Sequence, residues 1–146
     1  MSTEQSECAR QSCVLVAVGR SPSSGRARAY AIGLARRQNA RLVVLHVRDS
    51  TIGFGTEAEL VFATRQLMNE IVAEVRRDVR EAGEHFGKQL EFRVCEGSPA
   101  AQILAVAREL QADAVVVGHS RQRLPIFRSL SSRLIMAGEV PVIVVP

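Results

Sequence analysis

The stretch AVVVG, residues 114–118, runs without a polar break and is mostly β-branched valine. Such a run, closed by Gly118, predicts a strand buried on both faces, as at the centre of a parallel sheet. Helical patterns flank it. Upstream, Gly97-Ser98-Pro99 opens one, with Ser98 as N-cap and Pro99 at the first helical position. Ile103, Leu104, Ala107 and Leu110 give that helix a buried face. Downstream, a short helix is expected from about 130 to 137. VPVIVVP, residues 140–146, then reads as a last strand.

The rest of the chain repeats this alternation. CVLVAV (13–18) and RLVVLHV (41–47) predict strands one and two. The helix between them can be capped by Ser23 or Ser24, and Ala27, Ala31, Leu34 and Ala35 recur at helical spacing. DSTIGFGT, residues 49–56, carries two glycines and reads as a loop. Residues 57–87 form the longest helical pattern. Leu60, Leu67, Ile71, Val75, Val79, Ala82 and Phe86 make its apolar stripe, and Gly87 suits its C-terminal end. LEFRVC (90–95) alternates apolar and polar, so strand three is expected half exposed or near an edge.

Strand–helix alternation implies an α/β fold, a single doubly wound domain with helices on both faces of a five-stranded parallel sheet. The order 3-2-1-4-5 is expected. It sets the turn after strand one beside the turn after strand four, the switch point at which such sheets bind ligands. Gly19–Ser24 and Gly118–Ser132 should therefore line one crevice. The length of 146 residues suits one domain, 13–146, behind a polar tail at 1–12 that is expected to be frayed and disordered.

Composition narrows the function classes. The net charge is +4, carried by scattered arginines, with Lys88 the lone lysine. Arg121, Arg123 and Arg128 form a local cluster. No Trp and one Tyr leave little for base stacking, so nucleic acid is not an expected partner. Cys8, Cys13 and Cys95 form no CxxC pair, which argues against a zinc site and a disulfide framework. Cys95 reads as a small buried hydrophobe. No apolar run nears the ~20 residues of a membrane span, and the N-terminus has no signal-peptide core. A cytoplasmic location is expected.

VLVAVGRSPSSGRA, RLVVLHV, EGSPAAQILAVARELQADAVVVGHS and VPVIVV, in this order, resemble the universal stress protein family over nearly the whole chain, from Cys13 to Pro146. The resemblance implies five parallel strands, a cytoplasmic homodimer, and in some members bound ATP. ATP-binding members share a signature of glycine, two residues, glycine, nine residues, glycine, then serine or threonine. Here it falls on Gly118, Arg121, Ser131 and Ser132, so two of three glycines are absent. Glycines let backbone N–H groups approach a phosphate closely, and Arg121 would either fill that space or reach a phosphate with its guanidinium. Ser131 and Ser132, at the expected start of the last helix, either suit an anion or merely cap the helix.

A second departure follows strand one. ATP-binding relatives commonly hold an acidic residue where this chain has Gly19; Arg20 beside it brings charge of the opposite sign, and both are candidate nucleotide contacts. The resemblance carries adenine-pocket roles onto Ala17 and Val47, with Val117 nearby. GHSRQR (118–123) also resembles the universal-stress-like domain of potassium sensor kinases, some of which bind cyclic di-AMP. ATP, AMP or cyclic di-AMP, bound weakly or in an altered mode, are the ligands this implies.

Catalytic patterns are missing: no HExxH, GxSxG, complete P-loop or paired acidic motif occurs. No metal and no efficient enzyme is expected. His46 reads as a satisfied core or sheet-end residue and His85 as solvated. His119, next to Gly118, is placed to touch a ligand. The last strand would leave an exposed apolar edge, Val140, Val142, Ile143, Val144 and Val145, which a two-fold mate would cover. Pro141 and Pro146 confine the pairing to the residues between them. The readings are a homodimeric stress-response module binding an adenine nucleotide, a ligand-free interaction module on the same fold, and a weak ATP hydrolase.

Overall fold

A computed structural model describes residues 10–50, 57–87, 90–119 and 129–146. The apolar runs become the strands β1 (Cys13–Ala17), β2 (Arg41–Asp49), β3 (Glu91–Gly97), β4 (Ala114–Gly118) and β5 (Val142–Val145). They form one sheet in the order β3-β2-β1-β4-β5, parallel throughout, as the alternation predicts. The intervening helices are α1 (Pro22–Gln38), α2 (Ala58–Phe86), α3 (Pro99–Leu110) and α4 (Leu130–Ala137).

Two-residue periodicity divides the core in two. Val14, Val16, Leu42, Val44 and Val116 point to the face covered by α1 and α2. Leu15, Val43, Leu45, Val115 and Val117 point to the face covered by α3 and α4, where Ile103 and Leu134 are buried. Strands buried on both faces explain the unbroken apolar runs. Full burial of each such side chain contributes at most roughly 1.5–3 kcal/mol. Helix α1 meets the sheet through Ala27, Ala31 and Ala35, all fully buried. Small side chains let its backbone come close.

Several expectations are corrected. The cap of α1 is Ser21, whose side chain accepts from the Ser24 N–H, not Ser23 or Ser24. Pro22 takes the first helical position, for which its fixed φ is suited, so the cap lies one residue earlier. Ser98 is the N-cap of α3 with Pro99 opening the helix, as expected, although its side chain makes no capping bond. Ser129 caps α4 by accepting from the Ser132 N–H, so Ser131 and Ser132 lie inside its first turn. Leu60 and Leu67 of the α2 stripe are 46% and 52% exposed. A helix of 29 residues is about 43 Å long. The longest strand it covers has nine residues, about 30 Å. Burial therefore settles on Val75, Val79 and Ala82. Val140 precedes β5 and packs with the cluster under α3 and α4. Cys95 is half-buried.

Charge closes the amino-terminal end of the sheet. Arg41 holds Glu91 with bonds of 2.6 to 2.9 Å. Arg93 reaches Glu91 at 3.2 Å and Glu109 at 3.1 Å. The Cys13 N–H donates to Asp113 Oδ2 at 2.8 Å. Burial opposes ionisation of Glu91, but the hydrogen bonds and charges of Arg41 and Arg93 outweigh it and hold its carboxyl below the ordinary glutamate range. Burial raises the Cys13 and Cys95 thiols. Residues 1–9 of the expected tail lie outside the described residues. Arg10 bonds the Gln111 side chain at 2.7 Å, and Ser12 O accepts from Arg41 N–H at 2.7 Å.

Candidate functional site

The carboxyl ends of β1 and β4 meet the first turns of α1 and α4 at the topological switch point. A crevice opens there. Ala17, Val18 and Gly19 line it from the end of β1, Val117 and Gly118 from the end of β4, and His46 and Val47 from β2. Ser21, Ser23 and Ser24 contribute from α1, Pro99 and Ile103 from α3, and Leu130 from α4. Apolar walls with a few convergent polar groups are the usual make-up of a small-molecule site.

Backbone bonds fix the floor. The Val18 N–H donates to Leu45 O at 2.9 Å, and Val18 O accepts from His46 Nδ1 at 2.8 Å. His46 is therefore buried and bonded, as the sequence predicts. The Gly19 N–H donates to Ser24 Oγ at 3.0 Å. Gly118 fits against the start of α1: a Cβ there would lie 2.6 Å from the Ser23 carbonyl carbon and 2.7 Å from its oxygen. This is a close approach between helix and strand, and it requires glycine with or without a ligand. Gly19 has more room, with Ser24 Oγ at 3.7 Å from a Cβ built there.

Two serine triplets flank the crevice with the same spacing. In SPSS (21–24), Ser21 Oγ lies 3.1 Å from Ser23 Oγ and 3.0 Å from Ser24 Oγ. In SLSS (129–132), Ser129 Oγ lies 3.1 Å from Ser131 Oγ and 2.9 Å from Ser132 Oγ. Ser23 and Ser131 are the buried member of each triplet, and neither helix has an acidic residue in its first turn. The sequence places the segments Gly19–Ser24 and Gly118–Ser132, and with them Ser21, Ser23, Ser24 and Leu130, along this crevice, but names only Ser131 and Ser132 among them as ligand contacts and gives Pro99 and Ile103 of α3 no place in it. The repeated S-x-S-S spacing was the available signal for the serines.

The remaining candidates are dispersed. Arg20 turns to α2, where its Nε lies 3.2 Å from Glu74 Oε2. His119 is exposed, and its N–H donates to Val145 O at 2.7 Å, tying the crevice margin to β5. Ser132 is exposed on α4. Arg121, Arg123 and Arg128 lie outside the described residues. No charged side chain lines the crevice among the described residues. No group of three or more His, Cys, Asp or Glu suited to a metal occurs among them. No described helix is long and apolar enough to cross a membrane. The arrangement can hold a small molecule by shape, backbone and hydroxyl contacts. Among the described residues these hydroxyls have no general base in bonding range, which nucleophilic catalysis needs.

Comparison with known proteins agrees with the fold. The family model described as "Universal stress protein family" matches residues 13–146. Universal stress protein YxiE of Bacillus subtilis is 29% identical over 143 residues, covering 90% of this chain and 97% of that protein. Among solved structures, universal stress protein UspA from Lactobacillus plantarum superposes with a TM-score of 0.79 at 23% identity, covering 94% of this chain and 99% of the other. A universal stress protein solved in complex with cAMP gives a TM-score of 0.70 at 22% identity, covering 92% and 97%.

Proposed function

The chain belongs to the universal stress protein family, and from that premise we propose that it is a cytoplasmic, homodimeric regulatory module. Its crevice takes an adenine nucleotide in an altered mode. The observation that carries this reading is the convergence of the ends of β1 and β4 with the N-terminal turns of α1, α3 and α4 on one partly apolar crevice that has no charged side chain among the described residues. Helix N-termini without acidic residues favour a bound anion. The solved relative holding cAMP supports the chemical class. Without a carboxylate at Gly19, the nucleotide is held less firmly than in ATP-binding relatives. The dimer forms through β5, whose outer edge is apolar.

The second reading, a ligand-free interaction module, is favoured by the serine hydroxyls already spent on one another and on helix caps. Hydrolysis is the weakest reading, because no acid–base pair lines the crevice among the described residues. Native mass spectrometry of gently purified protein, then calorimetric titration with ATP, AMP and cyclic di-AMP, tests the proposal. A dimer carrying nucleotide mass, or a saturable heat, is expected. A clean dimer with no heat would leave the interaction module. The triple substitution Gly19→Asp, Arg121→Gly, Ser131→Gly should tighten ATP binding if those three side chains are what weaken it.

A further inference from the structure

Arg20 occupies an awkward place. It directly precedes Ser21, the N-cap of α1, so it is anchored at the positive end of a helix whose first turn has no acid. A cation there is unfavourable unless an anion neutralises it. Glu74 of α2 supplies that anion at 3.2 Å, and both partners are about half exposed. Arg20 also lies between two crevice-lining residues, Gly19 and Ser21. The backbone on either side is pinned, by the Gly19 bond to Ser24 Oγ and by the Ser21 cap. The Arg20 side chain can therefore change partners by rotamer rotation, with no rearrangement of the fold.

We infer that Glu74 is a stand-in anion: it holds Arg20 while the crevice is empty and yields it to the phosphate of a bound nucleotide. The inference rests on the nucleotide reading above. Among the described residues no charged side chain lines the crevice, and Arg20 on its rim is the cation that can supply the countercharge. Glu74 competes with the ligand for that cation and sets the affinity without touching the ligand. Glu74 is thus a positioning residue, and Arg20 discriminates phosphorylated from unphosphorylated ligands.

The test is a four-protein cycle of wild type, Glu74→Gln, Arg20→Gln and the double variant, titrated with ATP and with adenosine. Both sites are half exposed, so the variants should fold. Glu74→Gln should tighten ATP binding about three- to fivefold, the most an exposed ion pair can withhold. Arg20→Gln should weaken ATP binding by about as much or more, and adenosine should bind all four proteins alike. In the Arg20→Gln background, Glu74→Gln should change nothing. An equal gain from Glu74→Gln with and without Arg20 would overturn the inference, because it would show only the loss of a nearby negative charge. ATP binding indifferent to both substitutions would remove this inference and leave the nucleotide reading standing. Absence of ATP and adenosine binding from all four proteins would remove both.

Discussion

Strands β3 and β5 are the two edges of one sheet, and they are built from opposite materials. β3 carries Glu91, Arg93 and Glu96 among its seven residues, and two of these join a chain of ion pairs from Arg41 to Glu109. β5 is VIVV, half-buried throughout and without a charge. Beside it, α4 exposes Ile135 and Met136, and α1 exposes Tyr30 one turn from Arg26, which bonds Pro146 O. Edge charge is a device against unwanted pairing, and its absence leaves an edge fit for pairing. The contrast teaches that one edge is closed by its own side chains, whereas the other is suited to a second copy.

The largest expected effect is at β5. Pro141 O and Val145 O accept from β4 and its continuation, so Val142 and Val144 turn their backbone groups outward. Val144→Pro removes an outward N–H and leaves the bonds to β4 intact. In the proposed dimer it should raise the dissociation constant roughly thirtyfold, about 2 kcal/mol for two symmetric hydrogen bonds. Sedimentation across a concentration series reads this directly. An unchanged dimer would show that the contact lies elsewhere and that the edges do not differ in this way.

A smaller effect is expected when β3 is made to resemble β5. Glu91→Val with Arg93→Val should cause concentration-dependent self-association, while thermal stability falls by less than ~1 kcal/mol because exposed ion pairs contribute little. Light scattering that stays flat would show that charge does not guard this edge.

The smallest effect concerns pH. The folded-state pKa of Glu91 is lowered, so its contribution is present above the ordinary glutamate pKa. It is lost as pH falls through the lower folded value. Its side chain is 38% exposed, so the difference between wild type and Glu91→Gln should be only tenths of a kcal/mol. Denaturant melts at neutral pH and at about pH 3 should show that gap closing in acid. A gap that widens would refute the ion-pair account of this edge.

Strand order and layering were legible because burial on both faces leaves unbroken runs such as AVVVG and VLVA, and those runs alternate with helical stripes. The limit appeared in α2. Periodicity shows which residues share a face, but not whether a sheet lies beneath it, and Leu60 and Leu67 overrun the strands. The crevice was legible at Gly19–Ser24 and Gly118, since the switch point follows from strand order alone, whereas Ala17, Val47 and Val117 came from the family resemblance. The serines of α1 were read as possible caps, because one hydroxyl looks the same capping a helix or facing a cleft. Arg20 was read toward a ligand, and its partner Glu74 lies too far along the chain for sequence spacing to reveal.

Gly118 was read from the sequence as the first glycine of a phosphate signature, yet the Ser23 carbonyl already occupies the space a methyl group would need. That packing alone demands glycine there. A descendant of this chain that never met a nucleotide would still be obliged to keep hydrogen as that side chain. Glycine at 118 is therefore no relic by which to date the loss of a ligand. The freer turn at Gly19, where a side chain meets nothing closer than 3.7 Å, is where a change of ligand could be written first.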